Sequence, residues 1–363
     1  MRRDDLEAAV AAGVLDAASA ARLERFLETR RAETVERIGD EGVRFARGFH
    51  DVFITIGIVL MGIAASVGLT FTSGGGRLAP TLVAGGAALV AWALAEHLTR
   101  RRRLVLPSIA LDLGFVLFAT LAIGEALGIG DGLSTDPLFG QLGALSRIDE
   151  RGAVLTALVA ACLAAGAFFW RFRLPFAVAT LAAALAGLVL FLLLEAAESF
   201  VLANSFAVLL AVGLVIFAAA LALDLSDAER RTVRADMAFW LHLLAAPMVV
   251  HGLIMITVGG FPETPGDASI VVGLVVLLGL LAVVLDRRAP LVSVLGYFGV
   301  ALYQIFGSSQ SVDRTLVLIV TLLVLGGAVV LLGAGWQASR RALLLHLPLP
   351  ALAKRLAPIP ERI

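Results

Sequence analysis

The stretch Arg171-Phe-Arg-Leu-Pro175-Phe-Ala-Val-Ala-Thr-Leu-Ala-Ala-Ala-Leu-Ala-Gly-Leu-Val-Leu-Phe-Leu-Leu-Leu-Glu195 carries no charge from residue 174 to residue 194. At about 1.5 Å of rise per residue, a helix of that length crosses the hydrocarbon core of a bilayer. Two arginines bound it on one side and a carboxylate on the other. Pro175 suits a helix start, because the donor that proline lacks would be unpaired there in any case. Runs of the same kind recur, placing spans at 52–73, 78–98, 104–128, 152–170, 174–195, 203–223, 237–258, 270–286, 290–307 and 315–336. The eighth and ninth are the shortest. The sequence therefore predicts an all-α fold, a polytopic membrane helix bundle of about ten transmembrane helices.

Composition points the same way. The chain has 363 residues, 60% hydrophobic and 16% charged, with a mean hydropathy of +0.94. Soluble domains hold roughly half apolar and about a quarter charged residues. The single cysteine, Cys162, lies in an apolar run and can form no intramolecular disulfide. The opening residues are charged and no apolar stretch precedes Val52, so no cleaved signal peptide is expected and the first span serves as its own insertion signal. Of the 29 basic residues only Lys354 is lysine, a bias that fits a GC-rich bacterial genome. With a net charge of zero, nucleic acid is not an expected partner.

The arginines test the span count, because cytoplasmic loops hold the excess of Lys and Arg. Alternating the ten spans puts 25 basic residues on the side of the N-terminus and only Arg77, Arg147, Arg151 and Arg314 on the other. That split predicts a bacterial inner (cytoplasmic) membrane protein with both termini in the cytoplasm. Three parts follow: a cytosolic or interfacial helical segment at 1–50, a transmembrane domain at 51–337 and a membrane-surface tail at 338–363. Within the first part, a helix near 4–12 should end at Gly13 and Asp16 should cap a second through about Arg31. Ile38, Phe45 and Phe49 among arginines fit an interfacial helix leading into the first span. In the outer loop 129–151, Thr135-Asp-Pro137 and the apolar residues after it predict a short helix on the membrane face. The tail mixes leucines, prolines and the pair Lys354-Arg355, which suits contact with anionic membrane lipids.

Three hairpins share one plan, an apolar span, a basic turn, a proline and another span: Arg100-Arg-Arg-Arg-Leu-Val-Leu-Pro107, Arg171-Phe-Arg-Leu-Pro175 and Asp286-Arg-Arg-Ala-Pro290. Duplication of a two-helix unit and topology alone both account for this. The run Leu6-Glu-Ala-Ala-Val-Ala-Ala-Gly-Val-Leu-Asp-Ala-Ala-Ser-Ala-Ala-Arg-Leu23 resembles the opening of a family of uncharacterised bacterial polytopic inner-membrane proteins, a domain-of-unknown-function family with a short cytosolic helical segment before many spans. The resemblance covers about 30 residues and implies architecture only, since that family has no established activity.

No nucleotide loop, zinc-ligand spacing or nucleophile elbow is present, and Gly74-Gly75-Gly76 lies in a short turn with no strand before it. No catalytic set, metal site or cofactor is expected. Ionisable residues at membrane depth cost roughly 2.5–3.5 kcal/mol at mid-helix and so face a partner or a hydrated cavity. Asp112 is the carboxylate furthest inside a span. His242 and His251 share the seventh span with Pro247 between them. Nine residues apart, the two rings lie half a rotation and about 13.5 Å from each other, so they cannot chelate one metal. Similar depth suggests that Asp112 pairs with His242. A haem would need a second histidine at matching depth, for which His97 is a loose candidate. Glu96 and His97 should be solvated beside the arginine turn. Glu125, Glu195, Asn204 and Gln304 fall at outer helix ends and would line a vestibule or meet water. The leading expectation is a secondary transporter or channel-like protein for a small solute or ion, with Asp112, His242, Pro247 and His251 along its path. The alternative is a non-transporting scaffold or sensor that binds a cytosolic protein through residues 1–50.

Overall fold

The computed structural model describes residues 41–72, 76–127, 150–227, 232–260, 262–287, 289–307 and 313–346, with positions 12–14, 16, 19, 20, 22 and 23 ahead of them. Its helices are α1 (Glu41–Thr72), α2 (Leu78–Ala95), α3 (Val105–Leu127), α4 (Glu150–Phe172), α5 (Pro175–Ala196), the short α6 (Glu198–Ala203), α7 (Ser205–Ser226), α8 (Val233–Val258), α9 (Pro265–Leu285), α10 (Ala289–Gly307) and α11 (Arg314–His346). Among the described residues there is no strand, and nine helices are long and apolar enough to cross a membrane. The remaining expected span is α10, 19 residues long. The fold is thus an all-α polytopic bundle.

Several boundaries differ from expectation for local reasons. The eighth span is not short: α9 begins at Pro265, five residues before the apolar run. Thr264 and Asp267 form a reciprocal capping box, Thr264 Oγ1 accepting from the Asp267 amide at 3.1 Å and Asp267 Oδ2 from the Thr264 amide at 3.1 Å. α1 starts at Glu41 and α11 runs to His346, so both continue beyond their apolar windows. Asp16 Oδ1 accepts the Ser19 amide at 2.5 Å, the N-cap expected of it. The helices expected at 4–12 and within 129–149, and the tail from 347, lie outside the described residues.

Asp313 caps α11, its Oδ1 accepting the amides of Thr315 at 2.6 Å and Leu316 at 3.3 Å. Bonding by Thr315, amide first and then hydroxyl, and by the Leu316 amide holds this carboxyl below its ordinary value of 3.8. A depressed folded value means that the cap is complete above the ordinary value and is lost as pH falls through the lower one. Amide exchange at Thr315 and Leu316, corrected for its intrinsic rate, should stay protected at neutral pH and quicken only in that acid range. Protection unchanged through that range would show that the carboxylate does not hold the helix end.

The bundle is packed inside out relative to a soluble protein. Leu89, Trp170 and Leu331 are more than 70% exposed, whereas Ala84, Ala95, Ala165, Ala177 and Ala220 are fully buried. Lipid is as apolar as leucine, so helices gain little by hiding large side chains; small residues let backbones approach. The closest pair is α7 with α8. A Cβ at Gly213 would lie 2.8 Å from Met248 Cβ, and one at Gly252 would lie 2.9 Å from Leu210 Cβ and 2.9 Å from the Phe206 carbonyl oxygen. α8 is the hub, packing on α5, α7, α9 and α10. At the other end of the bundle, Trp92 of α2, Phe115 of α3 and Phe168 and Phe172 of α4 stack edge-on or tilted, with ring centroids 4.5–6.3 Å apart. α5 joins these two regions: Ala177 packs with the α2–α4 core, while Val178, Ala182 and Ala186 pack against Ile216, Ala220, Leu241 and Ala245 of α7 and α8.

The three basic hairpins share a backbone feature. Arg103, Arg173 and Asp286 are, among the described residues, the non-glycine positions with positive φ, at 55°, 52° and 54°. A left-handed residue ends a helix and frees the chain to turn. In the first hairpin one turn of π-helix, Glu96–Arg101, leads into that residue.

Candidate functional site

Asp112 lies seven residues into α3 and is fully buried. Its Oδ2 accepts the hydroxyl of Thr180 on α5 at 2.5 Å. Its Oδ1 is buried with no hydrogen-bond partner. Ser108, one turn earlier, spends its hydroxyl on the Leu104 carbonyl and offers nothing further. An acceptor left unmet in a low-dielectric interior is costly and calls for a proton, a cation or a water.

His242 does not pair with Asp112. α5 stands between their helices, packing on both α3 and α8. His242 is fully buried and its Nε2 lies 2.9 Å from Asp224 Oδ2 at the end of α7. Phe217 packs edge-on against the imidazole, ring centroids 5.0 Å apart. The same carboxylate takes both arms of Arg287: Nε donates to Oδ2 at 3.0 Å and a terminal amino group donates to Oδ1. That amino group also donates to the Ala235 carbonyl at 3.1 Å. Arg287 is 7% exposed. Asp224, His242 and Arg287 therefore tie α7, α8 and the turn after α9 into one buried, charge-assisted network.

Next to Arg287 in sequence, Asp286 accepts the indole N–H of Trp336 at 2.6 Å, and Arg340 of α11 lies 3.9 Å from its other oxygen. Trp336 and Arg340 are buried. The two networks share one turn and clasp α7, α8, α9 and α11 at the arginine-rich end. Glu96 is likewise not simply solvated: Arg171 of the second hairpin pairs with it at 2.6 Å and Arg100 at 3.4 Å.

Further along α8, His251 Nδ1 bonds the hydroxyl of Tyr297 on α10, with Phe206 of α7 edge-on at 5.7 Å. Pro247 is exposed, on the surface of an α8 that runs unbroken through it. The residues expected at outer helix ends each have their own surroundings. Glu195 pairs with Arg151 at 3.0 Å, Asn204 donates to the Phe200 carbonyl at 2.9 Å, and Glu125 and Gln304 are half-buried on α3 and α10. Among the described residues no three of His, Cys, Asp and Glu come together as a metal-binding group.

Asp224 and Arg287 are the residues that sequence reasoning passed over. Asp224 falls one position beyond the predicted sixth span and reads as a solvated helix end, and Arg287 reads as one more topological arginine. Only the 63-residue separation closed by the fold reveals the pair. Comparison with protein families, with curated proteins and with solved structures finds no match to this chain.

Proposed function

We propose that this integral membrane protein is a secondary transporter or channel-like protein for a small solute or ion, and not an enzyme, with Asp112 as the group that takes up the coupling proton or cation. One observation carries the reading: a carboxylate fully buried within a transmembrane helix, with Thr180 on one oxygen and no partner on the other. A position that served packing alone would hold an apolar residue, since a carboxylate there costs roughly 2.5–3.5 kcal/mol. The Asp224–His242–Arg287 network ties α7, α8 and the turn after α9 together at the arginine-rich end of the same bundle. The 25 to 4 division of basic residues supports a bacterial inner membrane with both termini in the cytoplasm. Membership of the uncharacterised family rests on the N-terminal run alone.

Vesicles containing the full chain and a trapped pH dye test this. Under an imposed potassium diffusion potential, they should acidify faster than protein-free vesicles. Asp112→Asn should return the rate to that of protein-free vesicles, and Thr180→Val should lower it. Wild-type vesicles that match protein-free ones would remove the proton-coupled reading.

A second reading, a non-transporting scaffold or sensor, draws on the close approach of α7 and α8 and on the Asp16-capped helix start ahead of the bundle. It calls for no flux in any vesicle and for a cytosolic protein bound through residues 1–50.

A further inference from the structure

An apolar groove of about 870 Å³ lies between α1, α2 and α3, lined among others by Ile58, Gly62, Ala87, Leu106, Ala110 and Gly114. Its few hydroxyls are turned back onto their own helix: Thr55 donates to the Asp51 carbonyl at 2.7 Å, Ser66 to that of Gly62 at 3.0 Å and Thr70 to that of Val67 at 2.7 Å. The groove thus asks for hydrocarbon and for no hydrogen bond. On α1 its lining runs from Thr55 to Thr70, about 22 Å at helical rise and most of one hydrocarbon core.

Its arginine-rich end adds a second, independent demand. The lining residue Leu106 stands three positions after Arg103, and Arg100 to Arg103 are all exposed. Glu96 engages Arg100 and Arg171. Among the described residues, no hydrogen bond or ion pair takes up the guanidinium groups of Arg101, Arg102 and Arg103. On α1 the same end carries Asp51 beside His50, so positive charge predominates there. A phosphate accepts arginine forks in bidentate fashion, and basic residues at a membrane surface gain from anionic lipid.

We propose that this groove binds an anionic phospholipid, one acyl chain lying between α1, α2 and α3 and the phosphate held by Arg101, Arg102 and Arg103. A neutral lipid would satisfy the groove but not the arginines.

The full chain, released from micelles doped with phosphatidylglycerol or with phosphatidylcholine of the same acyl chains, is examined by native mass spectrometry. Wild type should retain phosphatidylglycerol about tenfold better, the scale expected for a few basic contacts at the membrane surface. Arg101→Gln/Arg102→Gln/Arg103→Gln should hold both lipids alike. Gly114→Leu should hold neither. No heavy atom lies within 4 Å of a Cβ at Gly114, and leucine is the better helix former. Unchanged melting of both variants without added lipid confirms that they fold. Equal retention by wild type, a preference that survives in the glutamine variant, or retention undiminished in Gly114→Leu overturns the proposal. A dimer mass abolished by Gly114→Leu overturns it too, by giving the groove to a second copy of the chain.

Discussion

In detergent micelles, Asp224→Ala is expected to lose about 3–5 kcal/mol of stability, the range seen when one partner of a buried ion pair is removed. The carboxylate is the common acceptor for His242 and for both arms of Arg287. Side-chain exposure of Asp224 and Arg287 is 14% and 9%, so water is a poor substitute. Without the acid, the guanidinium keeps only the Ala235 carbonyl and remains charged in a dry site. Arg287→Ala should cost less, since Asp224 retains His242. Asp224→Leu combined with Arg287→Met should recover part of the loss, because no charge is left unpaired although the buried His242 loses its acceptor. Unfolding in dodecyl sulfate, followed by circular dichroism, gives all these values. A loss below about 1 kcal/mol for Asp224→Ala, the scale of exposed pairs, would mean that solvent reaches the network.

Gly252→Leu is the second substitution with a large expected effect. The first added carbon meets the Phe206 carbonyl oxygen and Leu210 Cβ, each at 2.9 Å. These atoms belong to the helix itself and cannot rotate aside. α7 must move away from α8, and overpacking of this kind costs typically 1–3 kcal/mol. Gly213→Leu presses Met248 Cβ and the Val249 backbone in the same way, at 2.8 and 3.1 Å. Gly86→Leu makes the same chemical change where no heavy atom lies within 4 Å, and should leave the melting temperature unchanged or raise it. Spin labels on α7 and α8 should report a wider separation in Gly252→Leu and in Gly213→Leu, and none in Gly86→Leu. If Gly252→Leu melts with Gly86→Leu, the two helices are not in the close contact described.

Much of the scaffold was legible because lipid imposes a one-dimensional rule. A run without charge must span, and Arg100–Arg103, Arg171 and Arg287–Arg288 mark where it turns. What lies between helices obeys no such rule. Thr180 is an ordinary residue in an apolar run until α5 sets it against Asp112. Gly213 and Gly252 look like many other membrane glycines, and nothing local says that each receives the other's helix. Equal depth made Asp112 and His242 look like partners, but depth fixes one coordinate and the intervening α5 decides the others. The start of α9 differs in kind: hydropathy places a helix end where polar residues begin, whereas the Thr264-Pro-Gly-Asp267 cap starts this helix among them.

α5 has a mechanical consequence. Among the described residues it carries nearly all the packing between α1–α4 and α7–α11, while the aromatic stack lies wholly on one side and the Asp224 and Asp286 clasps wholly on the other. The bundle is therefore two packed groups of helices joined through α5. Any movement of α3 relative to α5, whether rotation about the axis of α5 or sliding along it, strains the bond from Thr180 to Asp112. That bond is the polar tie between α3 and the helix that links the two sides, so a change in how α3 packs on α5 must either preserve it or begin by releasing it.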